Sequence, residues 1–310
     1  EEGQDYYYYK NDITPSFIRL NLSLDSTFSV LFNTSIANDL TLNFALAEKF
    51  AQPSAIARNN FDSLFVPFRV MVSDIFTQTE ITLDHGSLSD ALRATQTVPW
   101  FYNPIRIEGK YLFDGGVYNN FPVDVAQAVF NPDVIIGSNV SSKIYDEYPY
   151  DEDDKLISRS LLYMILDKSD PTKIPETGIY IQPDVKPYTS FDFAKAKALI
   201  DSGYLQTLRQ MPEIKSKIST RRTCDDVTAA RNQFNNKSSA FFVDDIEAID
   251  YNKYQQRYIN RFFKKTGPVL TFSEVKNGFY RLASEDYFNN LHPSFTFDTT
   301  SQYFKLKLSR

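Results

Sequence analysis

The run from Phe65 to Phe76, FVPFRVMVSDIF, constrains the fold more than any other stretch of the chain. Its apolar residues are nearly continuous and rich in Val, the pattern of a strand buried on both faces. Such a strand needs helices layered on its sheet. The residues that follow supply the parts in order. Glu80–Leu83 reads as a short strand, Ser89–Ala94 as a helix that stops near Pro99, and Ile105–Phe113 (IRIEGKYLF) as a hairpin turning at Glu108–Gly109. Pro122–Phe130 predicts a helix with Pro in its first turn, and Val134–Ser141 a further buried strand. Strand, loop, helix and strand in this order predict a crossover unit of an α/β sheet.

On either side the grammar differs. Phe17–Leu24 and Thr27–Phe32 alternate as strands, Asn38–Ala51 has helical spacing behind a capping residue, and Tyr6–Tyr9 reads as an edge strand. Helices are predicted over Leu156–Leu166, Phe193–Arg209 and Asp225–Phe234, with the acidic YDEDDK at 150–155 a solvated loop. The turn-rich Asn232–Ser239 marks a boundary, giving domains at 1–236 and 237–310. Beyond it come a strand (Ala240–Ile249), helices (Gln255–Lys264, Ser273–Leu282) and strands (Phe295–Phe297, Tyr303–Leu308). This βααββ order predicts a small α+β domain with its own core of Phe242, Ile246, Ile259, Phe262, Phe279, Leu282, Phe288, Phe297 and Leu306.

Composition narrows the chemistry. The net charge is −6, and Lys and Arg are nowhere dense enough to track a phosphate backbone, so no nucleic acid is expected as partner. The single Cys, Cys224, excludes an intramolecular disulfide and a Cys-based metal site. The two His, His85 and His292, sit in loop-like sequence without ligand spacing and read as solvated polar residues. No metal and no cofactor is expected, and any hydrolytic chemistry should be His-free. The chain opens on EEGQDYYYY without Met, which suggests a start partway through a larger protein.

The stretch Ser87–Val125 holds the residues most suited to chemistry. Asp114 ends an apolar strand, where α/β folds gather catalytic groups. Gly115 and Gly116 behind it let the backbone turn and leave the carboxylate uncrowded. Phe113 and Tyr118 could desolvate it toward the pKa of a working base. Taken alone, Asp-Gly-Gly could equally open a tight turn.

The wider pattern resembles the patatin-like phospholipase family. The matching residues are Ala91-Leu92-Arg93-Ala94-Thr95, Pro99, Asp114-Gly115-Gly116 and Asn120-Phe121-Pro122-Val123, together with the strand PFRVMVSD ending at Asp74. Thr95 and Ser73 stand where the family often has Ser and Thr. The resemblance implies a Ser-Asp dyad with Asp114 as base, supported by Gly115, Gly116 and Asn120, acting on a lipid or acyl ester. The family's G-x-S-x-G elbow and glycine-rich oxyanion loop are missing; GSLS (86–89) and GSNVS (137–141) are the nearest approaches. The expectation is therefore a domain without its N-terminal nucleophile segment. Its sheet would be incomplete, its 65–76 strand under-covered, and the chain alone inactive.

Tyr188–Tyr204 resembles a late segment of envelope patatin domains, and residues 240–310 resemble a POTRA (polypeptide-transport-associated) module. That arrangement implies a bacterial envelope protein held at the outer membrane by a β-barrel absent from this chain. It also implies a strand at 303–308, at or near a sheet edge, that could receive a partner polypeptide. The rival expectation is a non-catalytic outer-membrane scaffold or transport module acting through that edge.

Overall fold

The computed structural model describes residues 18–22, 28–32, 39–99, 101–140, 171–185, 188, 193–285, 288 and 291–310. The tyrosine run at 6–9, the acidic loop at 150–155 and the predicted helix at 156–166 lie outside these residues. The chain forms two compact units. One comprises Glu1–Phe76, Leu83–Asp114 and Thr228–Arg310; the other comprises Thr77–Thr82 and Gly115–Val227.

In chain order, β1 (Ile18–Leu22) and β2 (Phe28–Phe32) form an antiparallel pair, followed by α1 (Leu40–Ile56), β3 (Val70–Asp74) and β4 (Thr79–Leu83). Next come α2 (Leu88–Thr95), β5 (Ile105–Ile107), β6 (Lys110–Asp114), α3 (Val123–Phe130), β7 (Ile136–Ser138) and β8 (Ile179–Ile181). The rest is α4 (Ala196–Lys217), α5 (Cys224–Asn235), β9 (Phe242–Ala248), α6 (Lys253–Asn260), β10 (Leu270–Thr271), α7 (Phe272–Ala283), β11 (His292–Asp298) and β12 (Tyr303–Ser309). This is a mixed α/β architecture with several small sheets.

In the first unit all five residues of β3 are buried, as the apolar run predicts. Within the 65–76 stretch the cover is uneven: Val70–Asp74 are buried, whereas Phe65, Val66, Ile75 and Phe76 are exposed. The predicted hairpin is present: Glu108 (φ +49°) and Gly109 (φ +82°) both take left-handed backbone, the requirement of a tight two-residue turn. Among the described residues the predicted crossover unit is not seen, since β6 and β7 lie in different sheets. β6 runs antiparallel to β5 on one side and to β3 on the other, so both its edges are taken. In the second unit, β7 pairs in parallel with β8.

The C-terminal elements follow the predicted βααββ order with the two-residue β10 added, and their sheet runs β10-β9-β12-β11. β9 and β12 are parallel, β11 and β12 antiparallel. Reciprocal capping boxes start both helices, Asn252 with Gln255 on α6 and Thr271 with Glu274 on α7. Two expectations need correction. The strand over 303–308 is interior, between β9 and β11, because its alternating Phe304, Leu306 and Leu308 are all fully buried. Phe242 is exposed, while Val243 is buried and Phe241 packs against the core; Ile246 lies against that core as expected, because the ladder skips Asp244 between Val243 and Asp245 and the inward positions change parity there.

The core expected to belong to residues 240–310 alone also takes in α1. Phe44 is fully buried against Phe279 (ring centroids 4.6 Å), Tyr280 (5.4 Å) and Phe272 (6.0 Å), and Ala47 and Ala51 lie in the same cluster. Two polar contacts reinforce the seat: Lys276 Nζ lies 3.3 Å from Glu48 Oε2, and Gln52 Nε2 donates to the Ser239 carbonyl at 2.6 Å. Inside this core, burial pushes the Tyr251 phenol up to about 12. Phe44→Ala should lower stability by about 3–5 kcal/mol, the usual cost of truncating a buried Phe. Urea denaturation monitored on the C-terminal strands should register that loss. A cost below about 1 kcal/mol would show that residues 240–310 close their own core without α1.

Candidate active site

Asp114 is the last residue of β6 and pairs with Val72 of β3. Strand alternation puts Leu112 and Asp114 on one face, with the buried Val72 beside the carboxylate. Asp114 itself is half-buried. Its backbone amide donates to the Thr97 carbonyl at 2.9 Å, just past the end of α2. Two residues earlier, the Thr95 hydroxyl donates to the Met71 carbonyl of β3 at 2.7 Å. The end of α2 is thus fastened to both strands, and Thr95 supplies the hydroxyl that a Ser would supply there.

What holds α2 in place is Arg93, whose side chain is fully buried. Its Nε donates to Asn43 Oδ1 (2.6 Å), Nη1 to Thr97 Oγ1 (2.6 Å), and Nη2 to Asp39 Oδ2 (2.5 Å) and the Asn103 carbonyl (3.0 Å). The guanidinium carbon lies 5.1 Å from the Tyr102 ring centroid. Asp39 and Asn43 come from the start of α1, so one cation joins α1, α2 and the loop before β5. The Thr97 hydroxyl returns a bond to the Arg93 carbonyl (3.0 Å), and Thr97 in turn receives the Asp114 amide. A buried charge is tolerated only when paired and hydrogen-bonded in this way. Arg93→Met should therefore cost about 3–5 kcal/mol, since it strands the Asp39 carboxylate. Arg93→Met with Asp39→Leu should recover most of that loss; equal instability of the single and double variants in urea would contradict the pairing.

The remaining predicted residues are distributed as follows. Gly115 and Gly116 are buried and open a one-turn 3₁₀ helix, Gly115–Val117, in the second unit. Among the described residues the glycines with positive φ are Gly86 and Gly109, so the turn after Asp114 uses ordinary backbone. The two glycines serve there by adding no side-chain bulk. The Tyr118 and Asn119 amides both donate to the Gly115 carbonyl. Asn120 is half-buried; the buried asparagine is its neighbour Asn119. Asn119 Nδ2 donates to Asp124 Oδ1 at 3.1 Å and holds that carboxyl below the usual range, fastening the turn to the first turn of α3. Asp74 ends β3 buried, accepting the Phe76 amide at 3.0 Å with Lys110 Nζ 3.7 Å away. That is the geometry of an aspartate closing a turn.

Of the two histidines, His85 is exposed, with Nδ1 2.5 Å from Asp84 Oδ1 and Nε2 3.4 Å from Glu108 Oε1. Its hydrogen bond with Asp84 raises the imidazole pKa and lowers that of the carboxyl. His292 corrects the solvated reading. Its side chain is only 13% exposed, and Nε2 meets Asp90 Oδ1 of α2 at 3.1 Å. Neither histidine is placed by any contact beside Asp114. Sequence reasoning missed Arg93, Thr97, Asp39 and Asn43 as a unit. The available signal was an Arg amid small apolar residues on a short helix, a position where an unpaired cation would not be accommodated.

With this geometry in hand, comparison with known proteins bears on the same stretch. Residues 6–127 match the family model of patatin-like phospholipases, a span that includes Asp74, the Arg93 helix, Asp114, Gly115, Gly116 and Asn120. A stretch of 53 residues is 42% identical to the probable lipid hydrolase 463L of Invertebrate iridescent virus 6. That alignment covers 17% of this chain and 18% of the viral protein, so the chain spans under a fifth of that relative. The motifs that carry the resemblance, between Pro67 and Val123, fall inside the span that the family model matches.

Proposed function

We propose that the chain carries the carboxylate half of a lipid acyl hydrolase, with Asp114 as the base of a Ser-Asp dyad. The observation that supports this most is the seating of Asp114. A half-buried carboxylate ends β6 inside the matched span, with its amide tied through Thr97 to the buried Arg93 node. A base needs a fixed position before it needs a tuned pKa. In the reaction, Asp114 takes the proton of a serine hydroxyl as the oxygen attacks the ester carbonyl. It passes that proton to the leaving alcohol, and it repeats both steps with water on the acyl-enzyme. Gly115 and Gly116 follow without side chains, and Asn120 belongs to the same motif. None of the 310 residues forms a G-x-S-x-G, so the reading assigns the serine and the oxyanion donors outside this chain.

The βααββ order of residues 240–310 supports reading them as a POTRA-like module, and hence a bacterial envelope setting with a lipid or acyl-ester substrate. The rival reading, a scaffold that recruits a polypeptide at a free strand edge, finds less support. β12 is interior, β11 carries Pro293, and β10 is two residues long.

In a protein that joins this chain to a G-x-S-x-G segment, Asp114→Asn should reduce kcat on short acyl esters by roughly 10²–10⁴-fold with its thermal transition unchanged. The 310-residue chain by itself should neither turn over those esters nor react with a fluorophosphonate probe. Turnover by the chain alone that is lost on Asp114→Asn would place the serine within it and overturn the external nucleophile.

A further inference from the structure

Helix α4 presents a face that is exposed among the described residues. Gln210 Nε2 donates to the Tyr180 carbonyl (3.0 Å), Lys217 Nζ to the Gly178 carbonyl (2.6 Å) and Ser202 Oγ to the Asp184 carbonyl (3.2 Å), which sets the inner face against β8 and the segment after it. Beside that contact Ile200 (70% exposed), Tyr204 (64%), Leu205 (53%) and Leu208 (43%) stand open, and no residue of the 22-residue helix is buried. Residues 200, 204 and 208 repeat at four-residue spacing and form one stripe. Lys197 and Lys215 fall on the same stripe, at its two ends.

Around this stripe the charge balance reverses that of the chain. Between residues 193 and 223 there are seven Lys and Arg (Lys195, Lys197, Arg209, Lys215, Lys217, Arg221 and Arg222) and two acids, Asp201 and Glu213, in a chain of net charge −6. Lys197 meets Asp201 at 2.9 Å, but that pair is exposed and holds the lysine weakly. Ile200 and Tyr204 also line a cavity of about 530 Å³ with Ile181, Pro183, Val185 and Leu199, a volume within the range of small-ligand sites. Tyr188 borders the same cavity, and Lys195 Nζ sits 5.8 Å from its ring centroid.

An apolar stripe bounded by cations matches a surface that is apolar within and anionic at its rim. We propose that α4 lies flat on an anionic lipid surface, with its stripe among the acyl chains and Lys197 and Lys215 at the headgroups. Such helices bind through buried apolar area together with attraction to anionic lipid. The charges spread along α4 make it a helix that lies on a bilayer and does not span one. Tyr and Lys, with an apolar body and a polar tip, suit that depth. The inference extends the lipid-hydrolase reading by naming the face that meets the substrate's own phase. Its test measures adsorption and requires no turnover.

The 310-residue chain would be floated with phosphatidylcholine vesicles and with vesicles that also contain phosphatidylglycerol. Adsorption is expected only with phosphatidylglycerol present, and it should weaken steeply as salt rises. Lys197→Gln with Lys215→Gln should weaken it roughly 30-fold, the effect of removing two charges near the surface. Ile200→Ser with Leu208→Ser should abolish it at every salt concentration. Both variants should keep the parent's circular dichroism and thermal transition. Absence of wild-type adsorption, or adsorption that both variants retain, would overturn the inference. So would a dimer in sedimentation that the serine variant dissociates, because a second copy would then own the stripe. A stripe variant that melts early without any vesicle binding would assign the stripe to the chain's own packing, with the same consequence. Adsorption without hydrolysis in the joined protein would count against the dyad alone.

Discussion

One buried cation organises the first unit. The Arg93 side chain is fully buried, so the unit must supply acceptors, and it draws them from Asp39 and Asn43 on α1, Thr97 after α2 and the Asn103 carbonyl before β5. Each acceptor is separated in sequence from the others, so the requirement of a single guanidinium fixes three segments at once. The consequences run in two directions. Through Thr97 the node sets the amide of Asp114. Through α1 it orients the helix that carries Phe44 into the C-terminal core.

Some of this was legible in the sequence, for identifiable reasons. The apolar run over 65–76 announced a fully buried strand because no amphipathic alternative fits so many consecutive apolar positions, and β3 is buried throughout. The hairpin was legible at Glu108–Gly109 because its turn demands left-handed backbone, which Gly adopts readily. The order of C-terminal elements could be read from periodicity alone. Other features depend on partners distant in sequence. The apolar positions of α1 showed that it buries a face, but nothing local showed that the face meets Phe279 and Phe272, more than two hundred residues on. In β9, Phe241, Phe242 and Val243 are all apolar, and only the sheet decides which of them point inward.

The candidate site shows the same division. Asp114 and its glycines were visible as a motif, since a strand end followed by two small residues leaves room for a carboxylate. The support beneath it was not visible, because Arg93 on α2 and Thr97 just past its end take their meaning from α1. Asn119 was overlooked in favour of Asn120 because a motif gives positions and not burial, and the buried member is the one that bonds Asp124.

Within the first unit, α1 and Arg93 join residues 39–76, 83–114 and 240–310 into one cooperative body. Native-state hydrogen exchange measures this directly, residue by residue, as the free energy of the opening that exposes each amide. If that body opens as one, the Asp114 amide, bonded to Thr97, and the Leu306 amide in β12 exchange through the same global opening, and both respond equally as urea is added. Persistent protection at Leu306 while Asp114 exchanges through a separate, much cheaper opening would contradict it.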